Sequence, residues 1–249
     1  MWRIIFDTET SVLLTPAVGL FDSADGPGTA IQQWLDTSEE PPLLYLVAKP
    51  AQGKSVSVAH LVGYCQANVG DGLYFFCRHD HPATCSAAML LRSIAFQWAQ
   101  FDHSVRKTYL GLEKQGHRAT IMSLFMLWEK LFREIFVDRS RKHVKLIWWV
   151  IDGFDELGTA DRTKFARLLQ DVESFGPAFR GLVVGRHDRD IFQSIKPPVR
   201  MLRIHEKRTS EDIQIVVSAS IAQSCPDLEI DVQTSIIDLL VEKVGGLFL

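Results

Sequence analysis

Cysteine is scarce in this chain: Cys65, Cys77, Cys85 and Cys225 are the only four in 249 residues. That excludes a disulfide scaffold and reads as reduced thiols in a cytosolic protein. Long apolar runs are missing too. A membrane span needs about 18 apolar residues in succession, and a run such as Leu146 to Ile151 has six. The opening MWRIIFDTETSV puts Arg3, Asp7 and Glu9 where a secretion signal needs unbroken apolar sequence. Neither sign of charge dominates, since the net charge is −3. Bulk electrostatics therefore favour neither nucleic acid nor an anionic membrane. Internal repeats and low-complexity tracts are absent as well. These absences predict a soluble, cytoplasmic protein with no membrane span and no nucleic-acid partner.

What is present is a globular composition, 47% hydrophobic and 23% charged, in a chain long enough for one large α/β domain with a small appendage. Residues 1–30 lack a sustained period and contain DSADGPGT, which reads as a linker or loop. An amphipathic piece, Ile31 to Leu35, precedes EEPP. Five strands are predicted: LLYLVA from Leu43, LYFFC from Leu73, KLIWWVI from Lys145, GLVVG from Gly181 and VRMLRI from Val199. Helical spacing runs from Ser55 to about Val69. Ser86 is placed to cap AAMLLRSIAFQWAQF. Thr120 to Phe136 carries Ile121, Leu124, Phe125, Leu127, Trp128, Leu131 and Phe132 on a wide apolar face. ADRTKFARLLQDVESF reads as another helix. Two helices, Ser210 to about Ser224 and Asp231 to about Val244, close the chain. Strands alternating with helices predict a parallel sheet with right-handed crossovers.

Chemistry enters at Ala48, Lys49, Pro50, Ala51, Gln52, Gly53, Lys54 and Ser55, followed by Val56. The pattern G-x-x-x-x-G-K-[ST] makes a phosphate-binding loop, and here the second glycine, the lysine and the serine are in place. A GK followed by Ser or Thr arises by chance in about one chain in ten of this length. Context sharpens it. A strand leads in and a predicted helix leads out, so backbone N–H groups and the positive helix end can converge on phosphates. Lys54 would then reach the β- and γ-phosphates, and the Ser55 hydroxyl would bind Mg²⁺.

The second half of such a site is LIWWVIDGFDEL. An apolar strand ends in Asp152, placed to hold the same Mg²⁺. Asp155 and Glu156 follow, and one of them could orient or deprotonate an attacking water. On its own this stretch is a buried strand with an acidic turn; the upstream GKS loop favours the nucleotide reading. Arg186 tips the fourth strand in LVVGRHD. It would face the γ-phosphate if that strand lies between the first and third. A rival constellation is CRHDHPATC, where Cys77, His79, His81 and Cys85 have zinc-ligand types but unlike spacing. Trp148 and Trp149 sit inside an apolar strand and read as core.

These motifs, with AAMLLRSIAFQ, SEDIQIVV and the final GGLFL, occur in an order that resembles NACHT domains, most of all the fungal type similar to the nephrocystin-3 N-terminal region. Such domains are STAND-type nucleotide switches of NOD-like receptors, which act in innate-immune signal transduction. The resemblance implies a P-loop NTPase with strand order 2-3-1-4-5 over residues 31–205 and a helical annex, cut short, over 206–249. It implies an ATP/ADP switch with Mg²⁺ that controls self-association, with adenine as the base. Asp152 matches the Walker B acid, Asp155 and Glu156 the acidic pair after it, and Arg186 the sensor-1 arginine. It also implies further helical, winged-helix and repeat domains outside this chain. Three positions depart from the family. Ala48 and Ala51 replace early loop glycines, and an alanine held at positive φ costs roughly 1 kcal/mol or more. Gly185 stands where serine is usual. Binding is thus the firmer expectation, and slow or latent hydrolysis the weaker. The alternatives are a non-catalytic scaffold with a degenerate loop and a small-molecule kinase on the same fold.

Overall fold

A computed structural model describes residues 27–37, 39–47, 49, 54, 58–59, 61–63, 72–81, 84–140, 146–186, 199–203 and 206–244. Five parallel strands form one sheet: β1 (Leu43–Val47), β2 (Gly72–Phe76), β3 (Ile147–Asp152), β4 (Phe179–Gly185) and β5 (Arg200–Arg203). Their order across the sheet is β2-β3-β4-β1-β5. The five-stranded parallel α/β fold is as expected from sequence. The order differs from 2-3-1-4-5 in one exchange: β4 lies between β3 and β1, pairing Val150 with Leu182 on one side and Tyr45 with Val183 on the other. The reason is that β1, β3 and β4 are buried along their whole lengths. Their apolar composition marks them as interior without ranking them. The outer strands β2 and β5 show partial exposure in alternation.

The unbroken apolar runs are explained by cover on both faces. Side chains alternate along a strand, so Leu43, Tyr45, Trp149 and Ile151 enter one core and Leu44, Leu46, Trp148 and Val150 the other. The two neighbouring tryptophans therefore point to opposite layers, and each is at most 2% exposed. The first core is aromatic at its centre. Phe136 stacks on Phe175 with centroids 4.5 Å apart, and Trp149 meets Phe132 and Phe179 edge-on at 5.0 and 5.1 Å. Each such pair contributes about 0.5–1.5 kcal/mol beyond its area.

Helices supply the cover. Helix α1 (Pro27–Asp36) closes the second core with Ile31 and Trp34, whose indole N–H donates to the Pro41 carbonyl at 2.7 Å. Helix α2 (Ala87–Phe101) starts where expected, with the Ser86 hydroxyl accepting from the Met89 N–H. Helix α3 (His103–Lys114) was not resolved from the pattern, because Val105 is the one residue it fully buries. The helix expected from Thr120 begins later. Ser123 caps α4 (Leu124–Trp128), a π-helical turn (Glu129–Arg133) follows, and α5 (Glu134–Ser140) completes it. Ile121 and Phe125 are 77% and 62% exposed, so the buried face is narrower than the apolar count suggested. Helix α6 (Thr159–Leu168) gives way to a 3₁₀ segment, Leu169–Ala178, with Gly176 at φ 59°. Helices α7 (Glu206–Ser224) and α8 (Ile230–Val244) pack on each other.

Candidate functional site

In a parallel sheet the strands all end on one edge, and ligands sit beyond that edge. Here β1, β3 and β4 deliver the chain to that edge at Val47, Asp152 and Gly185. Of the loop residues singled out from sequence, Lys49 and Lys54 are described. Ala48, Pro50, Ala51, Gln52, Gly53, Ser55 and Val56 lie outside the described residues. Lys54 is helical and half-buried, and its Nζ donates to the Lys49 carbonyl at 2.7 Å. That bond ties the ammonium to the backbone two residues past the end of β1.

Burial pushes the Lys54 pKa below the ordinary lysine value. Asp155, Asp152 and Glu156 push the other way, while Arg186 adds to the lowering. Those four groups are the ones expected from sequence to share a site with this lysine. They come from two separate stretches of chain, the turn after β3 and the end of β4, and their charges act on this one ammonium.

The acidic turn has a specific cause. Gly153 holds φ 68°, in the left-handed region that glycine occupies at least cost. A Cβ there would sit 2.7 Å from the Cys77 carbonyl. Both constraints demand glycine. The turn then runs into a 3₁₀ turn, Phe154–Glu156, with Phe154 inserted in the core as an anchor. Asp152 is 4% exposed at the end of β3. On its other side the Cys77 N–H donates to the Asp152 carbonyl at 2.8 Å, which ties β2 to the same turn.

Asp155 holds Arg186 by two contacts. Its Oδ1 accepts the Arg186 backbone N–H at 3.0 Å, and its Oδ2 pairs with Nε at 3.1 Å. Glu156 instead receives the His79 backbone N–H at 3.1 Å, with His79 Nδ1 at 3.2 Å from the same oxygen. His79 thus faces a carboxylate and not a metal cluster. Among the described residues no group of His, Cys, Asp and Glu is arranged to hold a metal ion as a cluster, and Cys77 is buried with its thiol pKa pushed up by desolvation. The zinc alternative loses its geometric basis.

Two contributors escaped the sequence reading, Tyr45 and Gly153, and His79 was singled out there only as a zinc-ligand type. Tyr45 reaches from inside β1 to donate its hydroxyl to the Arg186 carbonyl at 2.5 Å. A tyrosine within an otherwise apolar strand signals that a partner must exist for its hydroxyl. The DG dipeptide after β3 was the corresponding signal for Gly153.

The donor set suits a hard cation. Mg²⁺ is held by one or two carboxylates together with phosphate oxygens and water, and Asp152 supplies a carboxylate at the strand end beside a lysine.

Comparison with known proteins bears on the family and the fold. A family described as nephrocystin 3, N-terminal, matches residues 28–186. No curated protein matches the chain. Among solved structures, the Walker-type ATPase paby2304 of Pyrococcus abyssi is similar at 13% identity and a TM-score of 0.53, over 88% of this chain and 63% of that one. The Drosophila ORC bound to DNA is similar at 13% identity and a TM-score of 0.53, over 87% of this chain and 48% of that one. At such identities the likeness shows a P-loop NTPase fold. The chain spans about half to two thirds of the length of those two proteins. Among the described residues no helix is long and apolar enough to cross a membrane.

Proposed function

The chain belongs to the nephrocystin-3 N-terminal family, and on that premise we propose that it is an ATP/ADP-binding switch domain that hydrolyses ATP slowly. The observation that carries this reading is the charge setting of Lys54. Asp152, Asp155, Glu156 and Arg186 all act on it, at the edge where a P-loop fold places phosphates.

The roles follow from chemistry. Lys54 neutralises the β- and γ-phosphate oxygens. Arg186, whose side chain is 58% exposed, reaches the γ-phosphate from the tip of β4. Asp152 and Ser55 would hold Mg²⁺, which when bound supplies positive charge to the phosphate oxygens. Hydrolysis is in-line. A water oxygen attacks the γ-phosphorus, the bond to the β–γ bridging oxygen breaks, and ADP leaves. Glu156 is the better placed carboxylate to take the water's proton, since its side chain is 30% exposed against 12% for Asp155, which Arg186 occupies.

The nucleotide state would control self-association, with the further helical, winged-helix and repeat domains completing a NOD-like signalling protein in the cytoplasm. Residues 31–205 would be the switch core and 206–249 its helical annex. A non-catalytic scaffold is the second reading, favoured by the two loop alanines. Titration with Mg-ATP and Mg-ADP decides between them. The switch predicts saturable binding by the native chain that Lys54→Ala removes. A Lys54→Ala chain with full affinity contradicts it.

A further inference from the structure

Arg186 is held at three points. Asp155 takes its backbone N–H and its Nε, and Tyr45 takes its carbonyl. Tyr45 is fully buried in the middle of β1, and its ring packs in the aromatic core. One holding group comes from strand β1 and the other from the 3₁₀ turn after β3, and they converge across residue 185. A Cβ built on Gly185 would lie 2.8 Å from the Tyr45 hydroxyl and 3.1 Å from Asp155 Oδ1. Any side chain there would push apart the two groups that hold the arginine. Gly185 therefore has a steric role at ordinary backbone angles.

We infer that Tyr45 and Asp155 form a clamp that positions Arg186, and that Gly185 is the gap through which the clamp closes. The clamp fixes both backbone groups of Arg186 and leaves its guanidinium at the solvent edge. Tyr45 is a positioning residue, acting on a phosphate only through the arginine. Asp155 holds the arginine and is not the water base. When a γ-phosphate arrives, it competes with Asp155 for the guanidinium, while Tyr45 keeps the backbone in place. Discrimination of ATP from ADP then depends on Tyr45. This last step rests on the proposed contact of Arg186 with the γ-phosphate; the clamp itself does not.

The test reads the two parts separately. Hydrogen exchange at the Arg186 amide, without nucleotide, is compared in the native chain, Tyr45→Phe and Gly185→Ser. Tyr45→Phe keeps the ring and removes one hydrogen bond. The clamp predicts roughly three- to ten-fold faster exchange, the fold-change of one neutral hydrogen bond, and a larger rise in Gly185→Ser. Exchange that stays native in Tyr45→Phe overturns the clamp, whatever nucleotide does. The ratio of ATP to ADP affinity is then measured in the same chains and in Arg186→Ala. The expected result is a ratio that falls roughly three- to ten-fold in Tyr45→Phe, with no further fall when Tyr45→Phe is added to Arg186→Ala. An unchanged ratio beside faster exchange overturns the link to the γ-phosphate. A native chain that binds neither nucleotide overturns the switch reading, and the exchange result still decides the clamp.

Discussion

Strand β4 carries an arginine at each end, and the two have opposite fates. Arg180, at the start of the strand, is 4% exposed. It donates to the Phe179 carbonyl at 3.0 Å and the Thr37 carbonyl at 2.9 Å, and burial lowers its pKa while Glu40 raises it. Arg186, just past the end, pairs with Asp155 at the solvent edge. The same residue type thus braces the fold at one edge and pairs with a carboxylate at the solvent-facing other. Backbone carbonyls inside a protein cannot leave an arginine, whereas a carboxylate at the surface can be exchanged for a phosphate. The parallel sheet creates the difference, because its strand ends converge with helix N-termini on one edge only.

Breaking the site edge gives the largest effect. Lys54→Ala should weaken Mg-ATP binding about 100-fold, the cost of losing charge-assisted hydrogen bonds to phosphate, with little change in thermal unfolding. Isothermal titration checks the first and a melting curve the second. Next comes Gly153→Ala, which forces a positive φ and meets the Cys77 carbonyl at 2.7 Å. It should destabilise the fold by about 2–3 kcal/mol in urea unfolding and loosen the acidic turn.

The two arginines sharpen the contrast. Arg180→Ala should cost about 2 kcal/mol of stability, because two carbonyls lose their donor in the interior. Arg186→Ala should cost under about 0.5 kcal/mol of stability while lowering the preference for ATP over ADP. Equal losses of stability from both would erase the distinction between the edges.

The smallest effect is one of pH. Burial lowers the Lys54 pKa below 10.5 in the free fold. The folded chain therefore binds fewer protons than the unfolded one in the window below 10.5, and this lysine's contribution to stability rises with pH there. Nucleotide phosphates favour the charged lysine, so binding should take up a proton in that window. Affinity should begin to fall at a lower pH than for an ordinary lysine. Titrations in buffers of different ionisation enthalpy read the proton uptake.

Much of this arrangement is legible in sequence, and the rest is not for stated reasons. LLYLV, IWWVID and the later part of FRGLVVG are apolar along their length, which placed three interior strands but could not order them. Ser86 capping α2 follows from local chemistry, as does the burial of both tryptophans in β3. Helix α3 eluded the pattern because His103–Lys114 is mostly solvated. Asp152, Asp155, Glu156 and Arg186 were singled out by motif, and their charges act on Lys54. Tyr45 was missed and His79 was read only as a zinc-ligand type, because their contacts, to Arg186 and Glu156, span 141 and 77 positions of chain. Only the sheet brings such residues together.

The most direct test of nucleotide binding is to denature the purified chain, chromatograph what is released, and titrate the refolded or native chain with Mg-ADP. A stoichiometric adenine nucleotide, or saturable Mg-ADP binding by a chain purified empty, is the predicted result. A folded chain that releases no nucleotide and binds none at saturating Mg-ADP or Mg-ATP would contradict it.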